Sequence, residues 1–208
     1  MIPSNNINSD ILSKRIFDIF FSLLGLLILS PLFFFVSILI KSDSAGPVFF
    51  KQLRVGFKGK RFLLYKFRTM EKNAENKGIK LTSSSDPRIT KIGRFLRKHK
   101  IDEFPQLINV LKGEMSFVGP RPELPEYVEL FKKDYNYILK VRPGITDFAS
   151  IKFRNESNLM QNGRDAENIY INEIISKKIE LYKKYVKERS FAFDLHLIFM
   201  TLFYLIKK

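Results

Sequence analysis

The chain of 208 residues contains no cysteine and no tryptophan, and its only histidines are His99 and His196. Without cysteine there can be no disulfides, thiolate metal sites or cysteine nucleophiles, which is typical of a protein that never meets an oxidising compartment. Two histidines argue against a histidine-rich metal site and against a serine-type catalytic triad. The chemistry that remains is that of carboxylates, lysine, arginine and hydroxyl groups.

Acidic residues are also in the minority. The chain has 36 Lys and Arg against 21 Asp and Glu, for a formal net charge of +15. Such a surface attracts nucleic acid, an anionic membrane surface or phosphorylated substrates, and charge alone does not choose among the three. The length fits one domain with a sizeable core and room for one appended element.

A long apolar run, "KRIFDIFFSLLGLLILSPLFFFVSILIK", occupies residues 14–41, and Asp18 is the only charge between its flanking cations. It is about as long as a segment that crosses a bilayer core. It is too long for the apolar region of a typical signal peptide, and no A-x-A-like cleavage site follows it. A buried core helix is disfavoured because the run is apolar on every face. We therefore predict membrane insertion, preceded by a polar and poorly ordered lead-in over residues 1–13.

The residues themselves leave open whether this segment spans the membrane or turns back within it. Basic residues flank both ends, and the positive-inside rule would place both flanks on the cytoplasmic side. Near the middle, Pro31 removes one backbone hydrogen bond, and the hydroxyl of Ser30 can satisfy a freed backbone group. Spanning helices also contain prolines. Asp18 is predicted to pair with Arg15 on one helix face.

The remainder of the chain, residues 42–208, is predicted to form one domain. Short apolar stretches alternate with glycine and basic residues over 45–70, which predicts a β-hairpin. Gly113 is predicted to end a short helix as a left-handed cap. Helices are predicted over 89–100, 102–113, 123–140, 165–190 and 191–206. The last of these is apolar, and it is equally compatible with an amphipathic interfacial helix and with a core helix.

An acidic pair, Asp102 and Glu103, follows the cationic run "RFLRKHK" and precedes Pro105. One interpretation is a helix cap, because a carboxylate at a helix start accepts hydrogen bonds from free backbone N–H groups and proline fits the first turn. In the other interpretation the same helix start, ringed by cations, binds a phosphate. An ionised carboxylate beside that phosphate is a nucleophile, and the adjacent glutamate can hold Mg²⁺ or manage protons. For a generic Asp-Glu-x-Pro sequence the residues favour the cap.

Three further segments place cations in extended or rigid frames. "SFVGPRPE" holds Arg121 between two prolines, a frame that can aim a guanidinium at a phosphate or a uridine group. "YKFRTM" puts Lys66 and Arg68 on one face of a predicted strand, and "VRPGIT" holds Arg142 before a Pro-Gly turn. Each segment alone also fits an ordinary surface turn, but their combination in one basic chain indicates an anion-binding site.

Taken in order, these segments resemble the monotopic phosphoglycosyl transferases, the bacterial sugar transferase family of glycan-assembly enzymes. The matching stretches are "KRIFDIFFSLLGLLILSPLF", "GPVFFKQLRVG", "YKFRTM", "DPRITKIGRFLRKHKIDEFPQLINVLKGEMSFVGPRPE" and "VRPGIT". The similarity extends from about Lys14 to the last residue, and it implies the family's minimal form, with one membrane segment and one catalytic domain.

The resemblance implies a mostly helical α/β, membrane-associated fold. Residues 14–41 would form a re-entrant membrane helix broken at Ser30 and Pro31. Residues 42–208 would form a small catalytic domain, with amphipathic interfacial helices and a short β-hairpin, on the cytoplasmic face of the bacterial inner (plasma) membrane. The implied reaction transfers a sugar 1-phosphate from a nucleotide-activated sugar, usually a UDP-sugar, to polyprenol phosphate in a ping-pong cycle that releases UMP and requires Mg²⁺.

The resemblance also implies roles for individual residues. Asp102 would be the nucleophile that forms a covalent phosphosugar intermediate, and Glu103 would be its partner, with both as Mg²⁺ ligands. The predicted substrate-binding residues are Lys66, Arg68, Arg97, Arg121 and Arg142. Anionic membrane lipids are expected partners of the positive surface, nucleic acid is not, and a homodimer is a possible assembly.

One segment departs from the family pattern. After "VRPGIT" the chain reads "DFASIKFRNES", where many members have Gly-Leu-Ala-Gln-Val, and Asp147 and Arg154 are extra charges in a region expected to touch the sugar. A rival interpretation is a membrane-tethered nucleic-acid or anionic-lipid binding module without catalysis. It gives Asp102 no role, because a carboxylate repels a phosphate backbone. A non-catalytic scaffold is a third interpretation, which the intact Asp-Glu-Phe-Pro motif argues against.

Overall fold

The structure, a computed structural model, describes residues 4–74, 86–153 and 166–207. The helices are α1 (Ser4–Ile28), α2 (Ser30–Asp43), α3 (Lys91–Lys98), α4 (Gln106–Lys112), α5 (Pro125–Leu130), α6 (Lys132–Ile138), α7 (Phe148–Lys152), α8 (Ala166–Ile169), α9 (Ile175–Glu188) and α10 (Phe191–Ile206). The strands are β1 (Phe49–Val55), β2 (Arg61–Phe67), β3 (Ser116–Val118) and β4 (Gly144–Thr146). The predicted mostly helical fold with a β-hairpin is confirmed.

The N-terminal apolar segment forms two helices that meet at a sharp break. α1 begins at Ser4, so the part of the predicted lead-in that the structure describes is helical. α1 ends at Ile28 and α2 begins at Ser30, with an angle of 58° between the helices. Pro31 has no N–H for the carbonyl of Leu27, and the hydroxyl of Ser30 donates to that carbonyl at 2.8 Å. The predicted break, and the predicted role of the serine beside it, are confirmed.

Much of the apolar surface of α1 and α2 is exposed. The exposed large side chains are Leu12, Ile16, Ile19, Phe20, Phe21, Leu23, Leu24, Leu27, Ile28, Phe34, Phe35, Ile38 and Leu39. In the part of the chain that the structure describes, no single helix has the length and apolar composition of a membrane-crossing helix, whereas Leu12–Ile28 and Ser30–Asp43 meet both criteria as a bent pair. An apolar surface of this extent is typical of a surface that contacts another apolar phase.

The opposite face of α1 packs on the rest of the protein through charged residues. Asp18 is almost fully buried and accepts hydrogen bonds from the hydroxyl of Ser116 and the backbone N–H of Phe117, at 3.0 and 3.1 Å. Arg15 donates to the carbonyls of Val110 and Leu111 at the end of α4, at 2.7 and 2.9 Å. Asp18 and Arg15 interact through their charges, as predicted, but their hydrogen bonds go to other residues. Each of them bonds a different element of the domain, which fixes α1 against β3 and α4.

The hairpin is joined to α4 by a buried asparagine. β1 and β2 pair in antiparallel fashion, with Phe49 opposite Phe67 and Val55 opposite Arg61. At the outer edge of β2, Asn109 accepts from the N–H of Tyr65 at 3.0 Å and donates to the carbonyl of Leu63 at 2.7 Å. The asparagine thus replaces a neighbouring strand at that edge and sets the position of α4 along β2.

The C-terminal half packs around the parallel pair β3 and β4. Ser116 lies opposite Gly144, and a side chain at Gly144 would overlap the backbone of Gly119, so only glycine allows this approach.

The helix predicted over 123–140 is divided into α5 and α6 at Phe131, and the helix predicted over 165–190 contains a π-helical turn over Tyr170–Ile174.

The last helix, α10, has the character of both structures predicted for it. Leu197 is fully buried in a cluster with Val118, Val141 and Tyr185, as in a core helix. Phe199 and Phe203, on the same helix, are 68 and 56 % exposed. α10 is thus a core helix on one face and carries an exposed apolar surface on another.

Candidate active site

Asp102 lies in a single 3-10 turn, Ile101–Glu103, between α3 and α4. Lys100 precedes it in the left-handed conformation, with φ of 58°, and this residue redirects the chain after α3. The N-cap of α4 is Pro105, and no side chain caps that helix. The carboxyl group of Asp102 is buried, and its Oδ1 has no hydrogen-bond partner in the described ranges. The capping interpretation of Asp102 is therefore wrong, and one carboxylate oxygen is left unpaired.

Glu103, by contrast, is held by two cations. Its Oε1 accepts from Nζ of Lys66 at 3.0 Å and from Nη2 of Arg121 at 2.5 Å, and its Oε2 lies 3.4 Å from Nη1 of Arg121. Burial by itself would raise the pKa of Glu103, but Arg121 and Lys66 more than offset that effect and hold the pKa well below its usual range. Glu103 is thus ionised at neutral pH and joins β2 to the segment after β3.

The electrostatic surroundings of Asp102 are different. Burial raises the pKa of its carboxyl group, and the negative charge of Glu103 adds to the increase. Lys66, Arg97 and Lys100 act in the opposite direction. The carboxylate is therefore costly to desolvate but surrounded by positive charge, an environment in which an additional anion such as a phosphate is stabilised.

Arg97 is positioned by the packing of α3. Its Nε donates to the hydroxyl of Thr69 at 2.8 Å, and burial lowers the pKa of its guanidinium while Asp102 raises it. α3 lies so close to the chain after β2 that a Cβ on Gly93 would overlap the carbonyl of Thr69. The close contact at Gly93 brings the side chain of Arg97 near Asp102.

A buried network holds the segment that carries Arg121. Nη1 of Arg54 donates to the carbonyl of Pro122 at 3.0 Å and to Oε1 of Glu123 at 3.3 Å. The hydroxyl of Tyr170 donates to the other oxygen of Glu123 at 2.7 Å. β1 and the π-helical turn before α9 are therefore both bonded to the residues that follow Arg121.

Two of the predicted substrate-binding cations lie elsewhere. Arg68 follows the last residue of β2, and its guanidinium donates to the carbonyls of Ile40, Ala45 and Ser44 at the end of α2. Arg142 donates to the carbonyl of Gly113, at the end of α4 opposite Asp102. The structure thus brings together Lys66, Arg97, Arg121, Asp102 and Glu103, and it places Arg68 and Arg142 in contacts that stabilise helix ends.

The segment after β4, which differs from the family pattern, begins with a buried residue that caps a helix. Asp147 accepts from the N–H and the hydroxyl of Ser150, at 2.9 and 2.5 Å, and so caps α7. Burial raises the pKa of its carboxyl group. Arg154, the other extra charge, lies outside the described residues.

Sequence reasoning missed the residues that position the site. Asn109, Arg54 and Glu123 were not singled out, although Asn109 interrupts an otherwise apolar helix face and Glu123 directly follows "GPRP". A polar residue at a buried position needs partners, so the pattern contained a signal that Asn109 bonds another element.

The carboxylates can be compared with what Mg²⁺ requires. Among the described residues, no group of three or more His, Cys, Asp or Glu side chains is arranged to hold a metal ion. Both oxygens of Glu103 contact cations, whereas Oδ1 of Asp102 has no hydrogen-bond partner among the described residues. Mg²⁺ is commonly held by one or two carboxylates together with substrate phosphates and water, and Asp102 fits that pattern as a single protein ligand.

A protein-family model described as bacterial sugar transferase matches residues 9–208. The chain is 37 % identical over 205 residues to UDP-glucose:undecaprenyl-phosphate glucose-1-phosphate transferase of Escherichia coli K12, covering 97 % of this chain and 41 % of the relative. It is 39 % identical over 200 residues to undecaprenyl-phosphate glucose phosphotransferase of Komagataeibacter xylinus, covering 93 and 36 %.

A third relative acts on a different sugar. The UDP-N-acetylgalactosamine-undecaprenyl-phosphate N-acetylgalactosaminephosphotransferase of Aeromonas hydrophila is 38 % identical over 192 residues, covering 91 % of this chain and 42 % of the relative. The chain therefore spans about two fifths of the length of each of these three proteins.

Proposed function

The chain belongs to the bacterial sugar transferase family, and from that premise we propose that it transfers a sugar 1-phosphate from a UDP-sugar to polyprenol phosphate. Two of the named relatives act on UDP-glucose or UDP-N-acetylgalactosamine and on undecaprenyl phosphate, which supports both substrate classes. The proposed products are a polyprenyl diphospho-sugar and UMP.

One observation carries this proposal. A buried carboxylate oxygen, Oδ1 of Asp102, lacks a hydrogen-bond partner in the described part of the chain, and Lys66 and Arg97 act on its charge. Oδ2 of Asp18 is also unpaired, but Oδ1 of that residue accepts two hydrogen bonds that hold α1 against β3. An unpaired oxygen amid positive charge is suited to a nucleophile that meets a phosphate, because the cations offset the repulsion between the two anions.

In the proposed first step, a carboxylate oxygen of Asp102 attacks the phosphorus that bears the sugar. A bond forms between that oxygen and phosphorus, and the bond from phosphorus to the bridging oxygen of UMP breaks, so UMP leaves with the electron pair. Lys66, Arg97 and Arg121 offset the negative charge that is distributed over the phosphoryl and leaving-group oxygens.

In the proposed second step, a phosphate oxygen of polyprenol phosphate attacks the phosphorus of the aspartyl intermediate. The new phosphorus–oxygen bond completes the diphosphate, and the carboxylate of Asp102 leaves unchanged. No net proton transfer is required, which agrees with Glu103 being kept ionised at neutral pH by Lys66 and Arg121. Glu103 is proposed to orient these two cations.

Mg²⁺ is the proposed cofactor, and the carboxylate group of Asp102 would hold it together with the substrate phosphates. When bound, it would neutralise charge on the diphosphate. The cations contacting Glu103 disfavour a second carboxylate ligand from this residue, so Glu103, which the sequence assigned to the metal, is proposed as a partner of Lys66 and Arg121.

We propose that the bent pair of α1 and α2 enters and leaves the bacterial inner membrane from the cytoplasmic face. The 58° bend at Ser30 and Pro31 and the exposed apolar side chains of both helices support this arrangement. A domain held at that surface meets the phosphate of polyprenol phosphate at headgroup level while the isoprenoid chain stays in lipid. Anionic lipids would add attraction to the net charge of +15.

The test is the variant Asp102→Asn, which keeps the shape of the side chain and removes the nucleophilic carboxylate. With Mg²⁺, UDP-glucose or UDP-N-acetylgalactosamine, and undecaprenyl phosphate, we expect UMP release to fall by about a thousandfold or more. The melting temperature at pH 7 should be unchanged or higher, because burial raises the pKa of Asp102. Asp134→Asn is the matched control, because Asp134 pairs with Lys183 at 2.5 Å outside the site. Turnover of Asp102→Asn near the wild-type rate would refute the nucleophile assignment, and no UMP release by the wild type with any UDP-sugar would favour the non-catalytic binding module.

A further inference from the structure

Five buried side-chain polar atoms of the described residues lack a hydrogen-bond partner, and one of them, on Gln106, lies four residues after Asp102. Gln106, the first residue of α4, is 1 % exposed, and its Nε2 has no hydrogen-bond partner among the described residues. Most buried side-chain polar atoms have at least one partner, so an unpaired amide donor in the core needs an explanation. In this segment the unpaired donor of Gln106 lies four residues after the unpaired acceptor of Asp102.

The contacts of α4 show where Gln106 lies. Residues three or four positions apart share a helix face, and Asn109 makes two hydrogen bonds to the backbone of β2 at 2.7 and 3.0 Å. In the turn before α4, Glu103 contacts Lys66 of β2 at 3.0 Å. Gln106 therefore lies between Glu103 and Asn109, both of which contact β2.

The chemistry of an amide suits this position better than that of a cation. A lysine or arginine side chain here would form an ion pair with Asp102 and occupy the oxygen that has to react. A glutamate would add a third carboxylate to the acidic pair. A neutral N–H donor can bind a phosphate oxygen without neutralising the nucleophile, which is the property of donors that stabilise charge developing on oxygen.

We propose that Gln106 is a further substrate-binding residue, whose Nε2 donates a hydrogen bond to a non-bridging oxygen of the phosphoryl group that Asp102 attacks. This inference rests on the proposed function. Lys66, Arg97 and Arg121 would offset the negative charge of the phosphate, and the uncharged amide of Gln106 would orient one phosphoryl oxygen.

The first test compares Gln106→Leu with Asn109→Leu, two replacements of buried amides on one helix face. Because Nε2 of Gln106 makes no hydrogen bond with the described residues, Gln106→Leu should leave the melting temperature unchanged or raise it. Asn109→Leu removes bonds to Tyr65, Leu63 and Glu114 and should lower it. For Gln106→Leu we expect kcat for UMP release to fall by about a hundred- to a thousandfold, the range found for removing one such donor.

The second test changes the phosphate oxygen instead of the protein. Replacing one non-bridging oxygen on the sugar-bearing phosphorus by sulfur gives two diastereomeric UDP-sugars, and sulfur accepts hydrogen bonds weakly. With the wild-type protein, one diastereomer should lose the bond from Gln106 and react more slowly. With Gln106→Leu that extra loss should disappear, because two changes that remove the same contact are not additive.

The outcomes separate this inference from the proposed function. If the wild type releases no UMP from any UDP-sugar, the proposed function fails first. If the wild type is active and Gln106→Leu retains kcat within twofold, or loses as much thermal stability as Asn109→Leu, the assignment of Gln106 is overturned. The assignment is also overturned if, for both diastereomers, sulfur slows UMP release by the same factor in the wild type and in Gln106→Leu. If Gln106→Leu does not fold, Gln106→Glu keeps the side-chain shape, and wild-type kcat in that variant overturns the assignment.

Discussion

Asp102 and Glu103 are adjacent in sequence, yet their surroundings shift their pKa values in opposite directions. Burial raises the pKa of Asp102, whereas Arg121 and Lys66 outweigh the effect of burial on Glu103 and lower its pKa. Pairs of titratable groups whose environments separate their pKa values are a common sign of distinct catalytic roles. This contrast supports Asp102 as the reacting group and Glu103 as the residue that holds the cations.

We predict that Glu103→Gln lowers stability in a pH-dependent way. The folded pKa of Glu103 lies below its unfolded value of about 4.3, so its stabilisation is complete above that pH and is lost as the pH falls through the folded pKa. At pH 7 the variant should lose about 1–3 kcal/mol of unfolding free energy, because Lys66 and Arg121 lose their counterion. The difference should shrink below about pH 4, as measured by thermal unfolding in detergent from pH 3 to 8.

The matched control for this prediction is Glu129→Gln. Glu129 pairs with Lys132 at 2.7 Å on the surface, where both side chains are mostly exposed, and such pairs contribute little. If both variants had the same stability and the same pH dependence, the structural role assigned to Glu103 would be wrong.

We predict the opposite sign for Asp147→Asn. Burial raises the folded pKa of Asp147 above its unfolded value of about 3.9, so its ionisation costs stability as the pH rises through the folded pKa. Asparagine can also cap α7, because its carbonyl oxygen accepts the N–H of Ser150. The variant should therefore melt at a higher temperature than the wild type at pH 7, with a gain that disappears towards pH 4. A lower melting temperature at pH 7 would contradict this account.

At the scale of elements, the site depends on how closely three segments approach one another. α3 supplies Arg97, the turn before α4 supplies the two carboxylates, and β2 supplies Lys66. The approach of α3 is limited by Gly93, which contacts the backbone of Thr69, and the position of α4 along β2 is set by Asn109. A small change in either contact should move the charges relative to one another.

We predict that Gly93→Ala lowers both stability and activity. A Cβ at this position would overlap the carbonyl of Thr69, whose hydroxyl accepts from Arg97, so α3 must shift. An overpacked contact of this kind costs about 1–3 kcal/mol. We expect a lower melting temperature together with at least a tenfold loss of kcat/KM for UMP release. Lys91→Ala, a change at an exposed position of the same helix, is the control. If Gly93→Ala had the same melting temperature and kcat/KM as Lys91→Ala, the contact at Gly93 would not be tight.

At the scale of the whole molecule, two surfaces have different characters. The bent helix pair exposes apolar side chains along much of its length, while the chain as a whole has a net charge of +15. An apolar surface next to a cationic domain matches the composition of an anionic membrane, with its apolar interior and negative headgroups. α10 adds exposed apolar side chains, including Phe199 and Phe203.

We predict that both flanks of the helix pair lie on the same side of the membrane. Because the chain has no cysteine, the single-cysteine variants Ser13→Cys and Ser42→Cys give unambiguous labelling sites, and both side chains are exposed. An impermeant maleimide should label neither in intact spheroplasts and both after permeabilisation. Glu129→Cys, exposed in the domain, is the cytoplasmic control. Labelling of Ser13→Cys alone from outside would indicate a spanning segment and would contradict re-entry.

The local features of this protein could be predicted from its sequence. The break between α1 and α2, the bond from Ser30 to the carbonyl of Leu27 and the glycine cap at Gly113 depend on residues within one or two turns of each other. The hairpin likewise follows from alternation and glycine content. Such features are determined by covalent geometry and short-range hydrogen bonding, which the order of residues specifies directly.

The partners of the charged groups were decided only by the tertiary structure. Glu103 meets Lys66 across 37 positions and Arg121 across 18, and Asp18 bonds β3 instead of Arg15 nearby. Arg68 was predicted to share a face with Lys66, but β2 ends at Phe67, so strand alternation no longer governs its direction. Burial and counter-charges depend on which segments pack together, and so the sequence by itself could supply the acidic pair but not which of its two carboxylates would be left unpaired.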